Sequence, residues 1–278
     1  MSLQGKTLFI TGASRGIGRE IALRAARDGA NIVIAAKSAE PHAKLPGTIF
    51  SVAEEVQAAG GKALALQVDV RDEDAVRAAL ARANEHFGSI DALINNAGVS
   101  AHALFEQVSA QDLGWYERLM RINLWGSVWC THAALPHLKA SQGSIVAVSS
   151  LAGLIGVPGR TAYSASKFAM AGFFEALRIE LKPAGVSVTT AYPGVVDTRI
   201  RYHGYNARGE TAGVSGLKED GAMTAVECAR LILDGLKRRQ REVVMTGKGK
   251  LGRFIKLIAP GMVEDMALAA LKDDVKPH

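Results

Sequence analysis

The sequence has few of the residues that build disulfide networks, metal centres or membrane spans. It contains two cysteines in 278 residues, Cys130 and Cys228, and their spacing fits neither a disulfide set nor a zinc site. We therefore expect a reducing compartment and no bound metal. No apolar run approaches the roughly 20 residues of a membrane-spanning helix, and the first residues lack the apolar core of a signal peptide. These absences together predict a cytoplasmic protein.

Positive charge is only mildly in excess. The 33 basic and 27 acidic residues give a net charge of +6. Proteins that bind nucleic acids often have such a balance, but they place exposed aromatic side chains among their basic residues. This chain shows no such interleaving, so the sequence predicts no nucleic-acid partner.

Glycine, in contrast, is abundant, and one cluster of glycines follows the first apolar run. Lys6 to Thr11 reads as a buried strand, followed by Gly12-Ala-Ser-Arg-Gly-Ile-Gly18, a helix from Arg19 to Asp28 and a strand from Asn31 to Ala36. A glycine-rich turn between a strand and a helix lets backbone amides approach a phosphate. The spacing G-x-x-x-G-x-G differs from the usual G-x-G-x-x-G fingerprint. The order of elements still predicts a dinucleotide site.

The end of the second predicted strand lacks an acidic residue. A carboxylate about twenty residues beyond the glycines would bind the ribose hydroxyls of NAD, whereas this chain has Ala36-Lys37-Ser38 there. Arg15 in the turn and Lys37 after the strand supply two cations for a 2′-phosphate. The pattern therefore favours NADP(H). The alternative is that both side chains are solvated surface charges.

Strand-like and helix-like segments alternate along most of the chain. This alternation predicts a single α/β, Rossmann-type domain, with a doubly wound parallel sheet of about seven strands and ligands at the strand carboxyl ends. The further predicted strands are 63–68, 90–94, 144–148, 186–191 and 242–245. The further predicted helices are 52–59, 72–87, 113–137, 163–181 and 225–238. Asp69, after the third strand, either contacts an adenine amino group or caps the helix near Asp72.

Two segments lack this alternation. Residues 199–223 are aperiodic and rich in Gly, Arg and Tyr, which is typical of a substrate-binding lid. We assign 1–247 to the domain, with that loop inside it, and 248–278 to a C-terminal amphipathic extension, where apolar residues recur at helical intervals after Pro260. We expect the extension to close over a substrate pocket or to lie in a subunit interface. Peripheral contact with an anionic membrane and a solvated tail are the alternatives.

Tyr163 and Lys167 are the strongest candidates for catalysis. Their four-residue spacing in a predicted helix places both side chains on one face. An ammonium group beside a phenol favours the phenolate and lowers its pKa. Ser150, at the end of a predicted strand, would present its hydroxyl to the atom that the tyrosine protonates. The same spacing also occurs where a half-buried tyrosine has a solvated lysine as its neighbour. Asn123, in the middle of a predicted helix, indicates a local distortion, a polar role or merely a partly exposed position.

Taken in order, these motifs resemble the short-chain dehydrogenase/reductase family over nearly the whole chain. The first half is similar to the hydroxysteroid dehydrogenase-like group, and the second half to reductases near the hydroxysteroid and retinol dehydrogenases. The matching motifs are Thr11-Gly-Ala-Ser-Arg-Gly-Ile-Gly18, Asn95-Asn-Ala-Gly98, Asn123, Ser150, Tyr163-x-x-x-Lys167 and Pro193-Gly194.

The resemblance implies a role for each matching residue. Tyr163 would be the general acid or base, and Ser150 would position the substrate oxygen. Lys167 would bind the nicotinamide ribose and lower the pKa of the tyrosine, while Asn123 would hold a water of the proton relay. The implied cofactor-binding residues are Gly12, Ser14, Arg15, Gly16, Ile17, Gly18, Lys37, Asp69, Val70, Asn95, Ala97, Gly98, Tyr163, Lys167, Pro193, Gly194, Val196 and Thr198.

The implied activity is hydride transfer between NADP(H) and a small-molecule carbonyl or secondary alcohol, with a hydrophobic ketone or a hydroxysteroid-like compound as substrate. The resemblance also implies a homodimer or homotetramer. Two alternatives stay open: an enzyme like the 3-oxoacyl-[acyl-carrier-protein] reductases, and a non-catalytic regulatory protein that binds the cofactor. The complete Asn, Ser, Tyr and Lys set argues against the second alternative.

Overall fold

The computed structural model describes residues 2–41, 47–217, 219 and 221–271. Its described strands are β1 (Thr7–Thr11), β2 (Asn31–Ala36), β3 (Lys62–Gln67), β4 (Ala92–Asn95), β5 (Ser144–Val148), β6 (Ser187–Tyr192), β7 (Val196–Asp197), β8 (Met223–Thr224) and β9 (Glu242–Val244). Its described α-helices are α1 (Gly16–Arg27), α2 (Ile49–Ala58), α3 (Glu73–Phe87), α4 (Gly114–Met120), α5 (Gly126–Ala140), α6 (Thr161–Leu181), α7 (Ala225–Lys237), α8 (Gly247–Ile258) and α9 (Pro260–Ala269).

A seven-stranded sheet of order β3-β2-β1-β4-β5-β6-β9 forms the centre of the molecule, and every neighbouring pair is parallel. Helices α1, α2 and α7 pack on one face, and α3, α5 and α6 pack on the other. Because both faces are covered, β1 and β5 are buried along their whole length. The predicted doubly wound sheet of about seven strands is confirmed.

The strand order reverses direction between β1 and β4. Leu8 of β1 is paired with Ile32 on one side and with Ala92 on the other. The crossovers leave from this point to opposite sides of the sheet, so a crevice opens at the strand carboxyl ends. The residues that follow β1, β4 and β5 meet at that crevice.

Helix α2 begins three residues before its predicted start because Thr48 caps it. The Thr48 hydroxyl accepts from the amide of Ser51 at 3.1 Å, and the Ser51 hydroxyl accepts from the amide of Thr48 at 2.9 Å. This reciprocal cap satisfies two donors that a helix start leaves open. Residues 42–46 of the preceding connection lie outside the described part of the chain.

The predicted helix 113–137 is divided into α4 and α5. A π-helical turn, Arg121–Trp125, joins them and has Asn123 at its centre. The sequence indicated a distortion or a polar role at this asparagine, and the π turn is that distortion. Such turns are frequent at functional sites.

The lid loop, residues 199–223, crosses the open end of the crevice. A two-residue ladder, Val196 with Met223 and Asp197 with Thr224, closes its base. A bridge between Leu217 and Leu271 joins the loop to the end of the C-terminal helices α8 and α9. Lys218 and Asp220 lie outside the described residues. In the described ranges, no helix is long and apolar enough to cross a membrane.

Candidate active site

The strand carboxyl ends, the lid loop and the C-terminal helices enclose a cleft of about 870 Å³. Most of the site residues expected from the sequence line it. They are Gly12, Ser14, Arg15, Gly16, Ile17, Lys37, Asp69, Val70, Ala97, Gly98, Ser150, Tyr163, Lys167, Pro193, Gly194, Val196 and Thr198. Gly18, Asn95 and Asn123 are not among the lining residues.

The glycine-rich turn at the end of β1 forms a close-packed floor. A Cβ atom at Gly12 would lie 2.8 Å from the Cα atom of Ala97, and one at Gly18 would lie 2.5 Å from the carbonyl oxygen of Gly12. No side chain caps the start of α1 at Gly16. The first amides of α1 are therefore available to an anion in the cleft, as a pyrophosphate requires.

The two asparagines after β4 have different partners. Asn95 donates from Nδ2 to the Thr131 hydroxyl at 3.0 Å and fastens β4 to α5. Asn96, which the sequence reading did not select as a site residue, lines the cleft. Its Nδ2 atom donates to the carbonyl oxygens of Thr11 at 3.0 Å and Gly12 at 3.2 Å. Asn96 thus ties the ends of β1 and β4 together beneath the turn.

Positive charge surrounds the end of β2. Arg15 donates from Nη2 to the Ser38 hydroxyl at 2.6 Å, while its buried Nε atom has no partner among the described groups. Burial lowers the pKa of Arg15. Ala36 is buried, and Lys37 is exposed at the rim. This end of the cleft therefore offers two cations and no carboxylate from residues 36–38.

Asp69 lies at the cleft wall and is paired with Arg71. The Arg71 Nη2 atom lies 2.6 Å from the carboxylate, and this hydrogen bond holds the pKa of Asp69 below its ordinary value. Asp72, rather than Asp69, caps α3, because its carboxylate accepts from the amide of Ala75 at 3.0 Å. The capping alternative for Asp69 is therefore wrong, and its carboxylate faces the cleft beside Val70.

Tyr163 lies near the start of α6, beside Ser150, the second residue after β5. Its pKa is raised by burial, and the positive charge of Arg160, a hydrogen bond with Ser150 and the charge of Arg201 oppose that rise. The Ser150 hydroxyl also accepts from the amide of Ala152 at 3.2 Å, which fixes its direction. The structure brings the expected Ser150 and Tyr163 pair together.

Lys167 lies one turn further along α6 and is buried. Its Nζ atom donates to the Val148 carbonyl oxygen at 3.0 Å and lies 5.8 Å from the centre of the Tyr163 ring. Burial lowers the pKa of Lys167 to about 8. The cations that oppose the raised pKa of Tyr163 are Arg160 and Arg201. Neither arginine was predicted from the sequence as a site residue. Arg160 nevertheless precedes Tyr163 by three residues and thus lies on the same side of the helix start.

Asn123 stands behind the cleft wall. Its Oδ1 atom accepts from the amide of Val99 at 2.8 Å, and its Nδ2 atom donates to the Val99 carbonyl and the Ser166 hydroxyl, each at 3.0 Å. These contacts fasten the segment after β4 to α6. Both side-chain groups of Asn123 are thus engaged, and the water-holding role that the resemblance implies for this residue stays a prediction.

The C-terminal helices form part of the wall at the far end of the cleft. Val263 and Met266 line it together with Ile155. Lys256 donates from Nζ to the carbonyl oxygen of Leu154 at 2.9 Å and lies 5.0 Å from the centre of the Phe168 ring. This end of the cleft is therefore mainly apolar, in contrast to the end near Arg15.

The thiols of Cys130 and Cys228 lie outside this site. Both are free and buried, and burial raises the pKa of each to about 12. Within the described ranges, no three His, Cys, Asp or Glu side chains form a group able to hold a metal ion.

A glycine-rich turn at a helix start, placed at the switch point of a doubly wound sheet, defines a dinucleotide-binding domain. A model of the short chain dehydrogenase family matches residues 6–207. The chain therefore belongs to the short-chain dehydrogenase family of oxidoreductases, as its motifs indicated.

Curated relatives connect the chain to hydroxysteroid dehydrogenases. Hydroxysteroid dehydrogenase-like protein 2 of Homo sapiens is 43% identical over 196 residues, which are 69% of this chain and 46% of that protein. For the Bos taurus protein of the same name, the identity is 52% over 142 residues, 50% of this chain and 33% of the relative. The chain thus spans less than half the length of these two relatives. The 11-beta-hydroxysteroid dehydrogenase 1A of Arabidopsis thaliana is 33% identical over 270 residues, 95% of this chain and 74% of that protein.

Solved structures share the fold. A candidate dehydrogenase from Xanthomonas campestris superposes with a TM-score of 0.76 and 33% identity, over 99% of this chain and 96% of the other. An alcohol dehydrogenase from Thermococcus sibiricus, complexed with 5-hydroxy-NADP, gives a TM-score of 0.73 and 26% identity over 86% and 95% of the two chains. A short chain dehydrogenase from Mycobacterium paratuberculosis, bound to NAD, gives 0.73 and 26% over 88% and 97%.

Proposed function

We propose that this protein transfers a hydride between NADP(H) and the carbonyl or secondary alcohol of a small molecule. The observation that carries this proposal is the meeting of Ser150, Tyr163 and Lys167 in the cleft that the glycine-rich turn opens into. Family membership supplies the reaction class. When bound, the reduced nicotinamide supplies the hydride that the carbonyl carbon receives.

The protein's own groups bind and protonate the carbonyl oxygen. The Ser150 hydroxyl donates to that oxygen, and Tyr163 gives its phenolic proton to it as negative charge develops, so that the product is the alcohol. In the oxidative direction, the same tyrosine takes the proton back. Lys167, beside the ring, binds the ribose hydroxyls of the nicotinamide and favours the phenolate. Asn123 holds a water of the proton relay.

The preference for NADP(H) rests on charge at the end of β2. Arg15 and Lys37 line the cleft there, and Ala36 occupies the position where a carboxylate would bind a ribose diol. The Nε atom of Arg15, which has no partner among the described groups, fits a phosphate oxygen. The structural relatives include one complex with an NADP derivative and one with NAD, so they do not distinguish the two cofactors. The support for NADP(H) is the charge of this chain's own residues.

A hydrophobic ketone or hydroxysteroid-like compound fits the apolar far end of the cleft, near Val263 and Met266. An acyl-carrier-protein reductase activity is the second candidate within enzymes. The deciding experiment is a screen of ketones and alcohols with NADPH, NADH and their oxidised forms, with nicotinamide absorbance as the readout. Turnover of ketones with NADPH supports the proposal. No turnover of any compound, together with tight NADPH binding, would favour the non-catalytic alternative.

We also propose that the protein acts in the cytoplasm as a homodimer or homotetramer. The support is the C-terminal helices, which leave seven large apolar side chains exposed, among them Phe254 at 65%, Leu257 at 80% and Ile258 at 73%. Large apolar side chains exposed in this number on two consecutive helices are typical of an interface. Because Lys248, Lys250 and Lys256 lie in the same helix, peripheral contact with an anionic membrane is the competing explanation.

A further inference from the structure

Arg160 is a buried cation whose hydrogen-bonding capacity is only partly used. It is 5% exposed, and its Nη1 atom donates to the Ser100 hydroxyl at 2.9 Å. Its Nε and Nη2 atoms are buried and have no partner among the described groups. A buried guanidinium with unmade hydrogen bonds costs stability, so a molecule that supplied the missing acceptors would bind here favourably.

The charge of Arg160 is also uncompensated. Among the described acidic residues, none lies within ion-pairing distance of it, whereas Arg201, buried on the lid loop, is paired with Glu219 at 2.8 Å. Arg201 lies close enough to add positive potential at Arg160. Burial lowers the pKa of Arg160 to about 10, so the group is still positively charged at neutral pH. Arg160 and Arg201 are therefore two buried cations that line the same cleft, and the Glu219 carboxylate is paired with Arg201.

The two unused donors point to a specific kind of acceptor. Nε and Nη2 lie on the same edge of a guanidinium, and that edge matches the two oxygens of a carboxylate. Arg160, Arg201 and Ser100 all line the cleft that contains Tyr163. The guanidinium carbon of Arg160 lies 5.7 Å from the centre of the Tyr163 ring, so an anion held there is close to the carbonyl that Tyr163 protonates.

We propose that Arg160 forms an anion subsite, and that the substrate is an oxo acid or hydroxy acid whose carboxylate lies a few atoms from the reacting carbon. This inference rests on the proposed oxidoreductase function and narrows its substrate class. The carboxylate binds the open edge of Arg160, and the apolar remainder of the molecule extends towards the C-terminal helices. Arg201 strengthens the positive potential and brings the lid loop onto the bound acid.

A different role for Arg160 is electrostatic support of Tyr163 alone. In that role, loss of the charge slows turnover of every ketone by a similar factor, because it changes only the tyrosine. An anion subsite instead changes the preference for an acid over a neutral compound of the same shape. The ratio of kcat/KM for an oxo acid to that for its methyl ester separates the two roles.

The test compares wild type with Arg160→Gln, Arg160→Lys and the control Arg208→Gln, each with NADPH and a series of oxo acids and their methyl esters. Arg208 is an exposed arginine of the lid loop that does not line the cleft. We expect wild type to prefer at least one acid, and Arg160→Gln to lower the acid-to-ester ratio by about tenfold to a hundredfold, the effect of losing a charged hydrogen-bond pair. Arg160→Lys should recover part of the ratio, and Arg208→Gln should leave it within about twofold, because an exposed charge is screened.

A second measurement on wild type removes dependence on the variants. Isothermal titration compares an unreactive cyclic carboxylate with its amide, each added to the complex with oxidised cofactor. The proposal predicts binding of the carboxylate about tenfold tighter than the amide. Equal affinities, or a wild-type preference for esters that Arg160→Gln leaves unchanged, would overturn it. Turnover of neutral ketones in that case leaves the oxidoreductase function standing, whereas no turnover of acids, esters or ketones contradicts the function itself.

Discussion

The Nζ atom of Lys167 donates a hydrogen bond to the carbonyl oxygen of Val148, 3.0 Å away. This bond joins α6, which bears Tyr163, to the end of strand β5. Ser150 leaves the sheet two residues beyond Val148, so one buried lysine joins the helix of Tyr163 to the strand end that leads to Ser150. The Ser149 hydroxyl adds a second tie, to the carbonyl oxygen of Lys167 at 3.1 Å.

The buried charge of Lys167 predicts a stability that depends on pH. Its pKa falls from 10.5 to about 8 on folding, so below pH 8 both states are protonated and the burial cost is fully present. Between about 8 and 10.5 the folded state loses the proton first, and stability rises with pH. Lys167→Met should therefore stabilise the cofactor-free protein near neutral pH by up to roughly 3 kcal/mol. Urea unfolding at pH 7 and pH 10 measures this gain, which should shrink at the higher pH.

Lys139→Met is the matched control, because Lys139 is exposed on α5. It should change stability little and by the same amount at both pH values. A Lys167→Met variant that is destabilised equally at pH 7 and pH 10 would show that the lysine's packing and its bond to Val148 outweigh the cost of its charge.

Ala36→Asp should shift the cofactor preference. A carboxylate at the end of β2 repels a 2′-phosphate and gives a ribose diol an acceptor. We expect the ratio of kcat/KM for NADPH to that for NADH to fall by about tenfold or more, equivalent to about 1.4 kcal/mol. Ala78→Asp, on the exposed face of α3 outside the cleft, adds the same charge and should leave the ratio unchanged. A wild type that already prefers NADH would contradict the role given to Arg15 and Lys37.

The exposed face of α8 should control assembly. Phe254→Glu combined with Leu257→Glu places two charges on the apolar surface, and we expect light scattering to report a smaller species. Phe50→Glu, at another exposed apolar position, in α2 (55%), is the control and should keep the wild-type mass. An unchanged mass for the double variant, with loss of binding to anionic liposomes, would assign the face to a membrane. Unchanged mass without liposome binding in the wild type would contradict both interfaces.

The sheet and the position of Tyr163 followed from the sequence because their signals are local. Strand β5 was predicted with its observed bounds, since Ser144 to Val148 is a short apolar run ahead of polar residues. The Tyr163 to Lys167 spacing placed both groups on one helical face. Each prediction depended only on residues that lie within a few positions of one another in the chain.

The electrostatics of the site depends on contacts between residues distant in the chain. The sequence motif predicted that Lys167 lowers the pKa of Tyr163. In the structure, the cations that oppose the rise of this pKa include Arg201, which comes from the lid loop. Asn95 and Asn96 are adjacent, yet only the fold shows that one binds Thr131 and the other lines the cleft. The start of α2 was missed because its cap is a reciprocal side-chain pair rather than an apolar period.

The central claim is that Tyr163 is the proton donor of an NADPH-dependent carbonyl reduction. The most direct test is the turnover of Tyr163→Phe with the best ketone substrate, alongside the Kd for NADPH of both proteins. We expect a loss of kcat of at least about 10²-fold, the usual contribution of general acid catalysis, with NADPH affinity nearly unchanged because the ring is kept. A Tyr163→Phe enzyme that retains half the wild-type rate would contradict it.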